Sequence, residues 1–188
     1  MATVTNVKTV SYEEWLGMPE VSDGIEEVVN GEVRVMPPPK LNHSRIVRRL
    51  RRQIEPQVDD RAVTVFVEQI GLIISRTPPT SRVPDLAVFE NSTIVEEEGY
   101  VHSPPQLVIE VLSPSNDRHD REEKLADYAL LGVPEAWLVS PEARTVEVLY
   151  LEEGRVHRGQ ILAEGILTPK HFPGVKVDIA AIWPEGSI

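Results

Sequence analysis

The sequence predicts a mixed β-sheet flanked by helices, an α/β or α+β layer structure. Three observations carry that prediction. Asn30-Gly31 lies between two β-branched runs in "EEVVNGEVRVM", the pattern of a hairpin closed by a type I′ turn. The stretches "VTVFVEQIGLIIS", "VPDLAVFE" and "LVIEVLS" then follow one another with no helical period between them. A helical stretch from about Asp117 to Leu131 leads into "AWLVS", completing the order helix, meandering strands, helix, strand.

Taken in order, Ser11-Tyr12-Glu13-Glu14 reads as a capping box that opens a short helix through Trp15 and Leu16. The hairpin follows, and "PPPK" breaks the chain after it. From about Asn42 to Val58 the pattern is helical, with Ile46, Leu50 and Ile54 at i, i+4 and i+8, joined by Val47, and with arginines on the other faces. "VTVFVEQIGLIIS" is one long strand or a strand pair, and "VPDLAVFE" is a strand entered through a proline. Gly132 and Pro134 stop the second long helix, whose packed side is assigned to Leu125, Ala129 and Leu130. "TVEVLYL", "RVHRGQILA" and "VKVDIAAIW" form a β-rich C-terminal portion. No repeat, low-complexity tract or long linker divides the chain, so residues 1–188 are expected to form a single domain.

Composition narrows the function. With 41 % hydrophobic and 26 % charged residues, the 188-residue chain has the make-up of a soluble globular protein. No apolar run approaches the roughly 20 residues a membrane span needs, so no membrane partner is expected. The absence of Cys excludes disulfides, a thiolate nucleophile and thiolate-bound zinc. The opening "MATVTNVKTVSYEEW" lacks the layout of a secretory signal, which points to the cytoplasm. A net charge of −11 argues against non-specific coating of nucleic acid. Yet residues 41–58 hold Arg45, Arg48, Arg49, Arg51 and Arg52 against the single acid Glu55. One basic face on an acidic body can still meet a phosphate backbone, through Arg45, Arg48, Arg49 and Arg52.

The chemistry centres on Glu110, a carboxylate set between Ile109 and Val111 in a strand. Removing a carboxylate from water costs several kcal/mol unless a partner compensates it. Alternation puts Glu110 on the face of Val108 and Leu112. If strand 83–90 pairs with it as a hairpin, residue 90 opposite 106, then Asp85 falls opposite 111, beside Glu110. Two such acids stay ionised most easily around a hard divalent cation, Mg²⁺ or Mn²⁺. The other reading of Glu110 is a structural acid paired to an arginine. On the next helix Asp120, Lys124 and Tyr128 share a face, and Lys124 can fold back toward the pair or simply pair with Asp120 at i, i+4. Ser113, His119 and Asp120 lack the glycine-rich elbow of a serine nucleophile.

"VPDLAVFE", "LVIEVLSPS" and "DREEKLADYALLGVPEAWLVSPEARTVEVL" together resemble the Uma-two family of endonucleases, within the PD-(D/E)XK restriction-endonuclease-like superfamily. The resemblance extends from "SYEEW" and "EEVVNGE" to "FPGVKVDIAAIWP". It implies an α-β-β-β-α-β core with an added N-terminal helix and hairpin, and Mg²⁺-dependent hydrolysis of DNA to 5′-phosphate and 3′-hydroxyl ends. Asp85 and Glu110 would hold the metal, with the backbone carbonyl of Val111. The superfamily places a lysine two residues after the acid, where this chain has Leu112; Lys124 is the implied substitute. Glu27 and His43 match family positions and could reach the cleft, although a capping or packing role also suits His43.

Two functions follow as expectations: a Mg²⁺- or Mn²⁺-dependent DNA endonuclease, or a nuclease-fold module that binds nucleic acid or a protein partner without cleaving. A homodimer through apolar strands such as "VEVLYL" is a third expectation.

Overall fold

The computed structural model describes residues 9–19, 21–22, 24–67, 70–113 and 118–184, with residues 118–120 by backbone alone. Helix α1 (Tyr12–Leu16) opens on the expected reciprocal cap. The Ser11 hydroxyl accepts the Glu14 N–H at 3.1 Å, and the Glu14 carboxylate accepts the Ser11 N–H at 2.8 Å. Strands β1 (Ile25–Val29) and β2 (Glu32–Met36) form the hairpin, with Asn30 and Gly31 at φ 51° and 84°. Both values lie in the left-handed region that a type I′ turn demands.

Helix α2 (Leu41–Ile54) buries Ile46, Val47, Leu50 and Ile54, the stripe read from its period. Strands β3 (Val63–Val67), β4 (Leu72–Arg76), β5 (Pro79–Arg82) and β6 (Leu86–Glu90) follow. Short strands β7 (Glu96–Glu97) and β8 (Tyr100–Val101) precede β9 (Leu107–Val111). Helix α3 (Arg118–Leu131) then leads to β10 (Glu135–Ser140), β11 (Thr145–Glu152) and β12 (Arg155–Leu162), and the paired β13 (Ile166–Leu167) and β14 (Val177–Asp178) come last. Asp117, the expected start of α3, lies outside the described residues, as does the side chain of Asp120.

The central sheet has the order β12-β11-β10-β9-β6-β3, and a second sheet the order β2-β1-β5-β4-β8-β7. Strands β3, β6 and β9 meander antiparallel, and β10 runs parallel to β9 across α3. With α2 ahead of them, this is the expected α-β-β-β-α-β order. Alternation along β9 divides the core: Leu107, Ile109 and Val111 pack in the apolar cluster that holds the buried stripe of α2, Val108 in the one that holds Leu125, Tyr128 and Ala129 of α3.

Four expectations change. "VTVFVEQIGLIIS" is two strands rather than one, but they lie in different sheets and do not pair with each other. The C-terminal "VKVDIAAIW" is strand only at Val177–Asp178, and Ala180–Ile182 is a 3₁₀ turn. Its backbone is held by side-chain amides instead: Gln53 accepts from Asp178 N–H at 2.7 Å and donates to its carbonyl at 3.2 Å, and Gln57 does the same at Lys176, at 3.0 and 2.8 Å. Each glutamine imitates one rung of a neighbouring strand. Leu130 is 70 % exposed, because the buried stripe of α3 is Lys124, Leu125, Tyr128 and Ala129, and Leu130 lies about 100° further round. The β6–β9 register is one residue from that expected, with Leu86 opposite Ile109 and Ala87 opposite Val108.

Candidate active site

That one-residue shift matters, because side chains opposite one another share a face. Continuing the ladder past Leu86 sets Asp85 across from Glu110 rather than beside it. Asp85 Oδ2 accepts the Val111 N–H at 2.6 Å and lies 3.0 Å from His43 Nε2, at the start of α2. The His43 and Asp85 side chains are 13 % and 14 % exposed, so the pair keeps some contact with solvent. Glu110 is buried and receives the Tyr128 hydroxyl on Oε1.

Lys124 comes from α3. Its Nζ lies 3.7 Å from Glu110 Oε2 and 3.1 Å from Glu27 Oε1 on β1. Leu112, where the superfamily carries its lysine, packs into the apolar cluster beneath α3. The ammonium thus arrives from a helix on the face that a strand lysine would have used. Glu27 belongs to this centre and is not peripheral to it.

Behind Glu27 stands Arg82, fully buried at the end of β5. Its guanidinium meets Glu27 Oε2 at 3.0 Å, Glu123 Oε2 at 3.1 Å and Asp127 Oδ2 at 2.7 Å. Glu27 Oε1 also accepts the Val83 N–H at 3.0 Å. Arg34, partly exposed, reaches Glu123 at 3.0 Å. Arg82 escaped the sequence reading because "TPPTSR" looks like a loop. The signal that could have found it is the i, i+4 pair Glu123 and Asp127, a second acidic stripe beside Lys124 and Tyr128.

Asp85, Glu110, Glu27, Glu123 and Asp127 face Lys124, Arg82 and Arg34, before the surface Glu32 that Arg34 also touches is counted. Acids outnumber bases in this cluster. Burial pushes the Glu110 carboxyl up to about 7; Lys124 opposes this, Asp85 and Glu27 add to it, and the Tyr128 hydrogen bond works against it. Burial acts to lower Lys124, but Glu110, Glu27 and Asp85 outweigh it and hold the ammonium above its ordinary value. Among the described residues no three His, Asp or Glu side chains cage an ion by themselves. Two carboxylates and surplus negative charge suit Mg²⁺ or Mn²⁺, which keep several waters. The donor set fits such an ion.

The arginines of α2 divide. Arg45, Arg48 and Arg52 are exposed, whereas Arg49 donates to the carbonyls of Ala181 (3.3 Å) and Trp183. Arg51 pairs with Glu55 at 2.8 Å.

The α-β-β-β-α-β order makes this a mixed α+β protein, with Asp85 and Glu110 at the β6–β9 junction and Lys124 of α3 beside Glu110. The chain belongs to the Uma2 family, described as "Putative restriction endonuclease", which matches residues 11–180. A crystal structure described as "a putative nuclease belonging to DUF820" from Anabaena variabilis superposes with a TM-score of 0.70 at 23 % identity, covering 92 % of this chain and 97 % of that one. An uncharacterized protein, sll1609, from Synechocystis sp. is 24 % identical over 128 residues, 68 % of this chain and 72 % of its own. No helix among the described residues is long and apolar enough to cross a membrane.

Proposed function

We propose that the chain hydrolyses phosphodiester bonds in DNA with Mg²⁺ or Mn²⁺. The observation that carries this reading is the Lys124 ammonium 3.7 Å from Glu110, supplied by α3 where Leu112 leaves the usual strand position apolar. Asp85, Glu110 and the Val111 carbonyl would hold the ion, which when bound polarises the scissile phosphate and acidifies a water. Lys124, kept protonated by its acidic neighbours, would orient a water beside Glu110 and balance charge developing on a phosphate. Tyr128 fixes one Glu110 oxygen, and His43 with the Val111 N–H fixes one Asp85 oxygen, so each acid that would hold the ion is kept in one orientation. Exposed Arg45, Arg48 and Arg52 supply contacts to the DNA backbone.

One observation favours the non-cleaving alternative: Lys124 lies nearer Glu27 than Glu110, as a purely structural ion pair would. Purified protein incubated with supercoiled, linear and branched DNA in Mg²⁺ or Mn²⁺ decides between the two. Cleavage that chelator stops, and that Asp85→Asn lacks, supports hydrolysis. Binding of DNA with no cleavage by the unaltered chain supports the alternative.

A further inference from the structure

Two adjacent stripes of α3 are gripped by different partners. Glu123 and Asp127, at i and i+4, are held by Arg82; Lys124 and Tyr128, each one residue on, are held by Glu110. A step of one residue turns about 100° around a helix, so fixing the first stripe fixes the rotation that aims the second. Arg82 also holds Glu27 Oε2, while Glu27 Oε1 receives Lys124. Its guanidinium therefore reaches the ammonium by two routes, through the helix and through Glu27. It is fully buried on β5 of the second sheet, whereas Glu110 is on β9 of the central one.

We propose that Arg82 is a positioning residue: its three-way grip on Glu27, Glu123 and Asp127 sets the rotation of α3 and thereby holds Lys124 over Glu110. The planar fork is what the task requires, since an ammonium can match the charge but cannot hold three carboxylates in fixed directions. The inference rests on the hydrolytic reading only for its effect on turnover.

The test uses the full chain with ¹⁵N-labelled lysine, the Lys124 ammonium resonance being assigned by its loss in Lys124→Gln. Arg82→Lys keeps the buried charge and removes the fork. Asp127→Asn, at a partly exposed contact, loosens the same grip with less risk to folding. In the unaltered protein Lys124 should give a slowly exchanging ammonium signal. Both variants should lose it, keep Mn²⁺ affinity within about threefold, and lower kcat about tenfold to a hundredfold with KM unchanged, as a misplaced catalytic group does. Acting through one grip, the double variant should be no worse than the more severe single one. Retention of the Lys124 signal in the folded variants, or its loss with turnover untouched, overturns the proposal. Parallel loss of Mn²⁺ affinity also overturns it, since the role would then be general integrity of the site. An unaltered chain that cleaves nothing removes only the hydrolytic reading, and the ammonium resonance then decides the positioning role alone.

Discussion

Lys124 Nζ and Glu110 Oε2 stand 3.7 Å apart, an ion pair that joins α3 to the central sheet at the only acid within β9. Tyr128, one turn further along the same helix, completes the hold on that acid. The lysine to which the proposed function gives the catalytic role is therefore a helix residue, and its consequences can be measured separately from those of the acids.

Lys124→Ala should retain Mn²⁺ binding in calorimetry and lose about 10²–10³-fold in cleavage rate, the usual worth of one electrostatic stabiliser of developing charge. Adding Leu112→Lys should recover part of the rate, because residue 112 shares the face of Glu110. A rate unchanged by Lys124→Ala would sink the migrated-lysine mechanism.

Asp85→Asn and Glu110→Gln should each abolish Mn²⁺ binding while the protein remains folded, since each removes one of the two carboxylates proposed to hold the ion. Calorimetric titration reads this. Undiminished affinity in either variant removes that residue from the metal site.

The metal-free protein should lose stability as pH rises. Burial raises Glu110 from 4.5 to about 7, with Lys124 opposing and Asp85 adding to the effect. An acid raised in the folded state binds its proton more tightly there. Its contribution is thus complete below about 4.5 and lost as pH climbs through about 7. Across that window Glu110→Gln should gain on the unaltered chain, by about 3 kcal/mol at most. Parallel pH–stability curves for the two proteins would contradict the assignment.

Replacing Arg48 and Arg52 with Gln should flatten the salt dependence of DNA affinity by about two units of log–log slope, one per lost phosphate contact. Arg49→Gln should leave that slope alone and lower Tm instead, because Arg49 is spent on the carbonyls of Ala181 and Trp183. Affinity measured across a salt series, beside thermal melts, separates the two arginine classes.

Gln53→Ala and Gln57→Ala should each cost about 1–2 kcal/mol, the worth of hydrogen bonds to backbone groups left without that partner. Amide exchange at Asp178 and Lys176 respectively should accelerate first. Protection that survives both changes would show that the C-terminal segment is held by its apolar contacts alone.

Much of this was legible in the residues. The capping box at Ser11, the Asn30-Gly31 turn and the apolar stripe of α2 are local signals, each satisfied by neighbours a few positions away. Glu110 announced itself as a charge in an apolar run. What stayed hidden depends on distant chain. Asp85 was placed one residue out of register because the connection to β9 contains its own short strands, so no tight turn fixes the pairing. Leu130 was counted as core because it is apolar, although its angle on α3 turns it outward. Arg82 follows two prolines, and only the assembled second sheet reveals it as an interior cation.

The side-chain rungs of Gln53 and Gln57 stand at the far end of α2 from His43. A fourteen-residue helix is a beam about 20 Å long. The glutamines clasp the C-terminal segment at one end of this beam, and His43 meets Asp85 near the other. One helix therefore carries the moorings of the C-terminal segment at one end and the imidazole that touches Asp85 at the other, with its buried stripe anchored in the core between them.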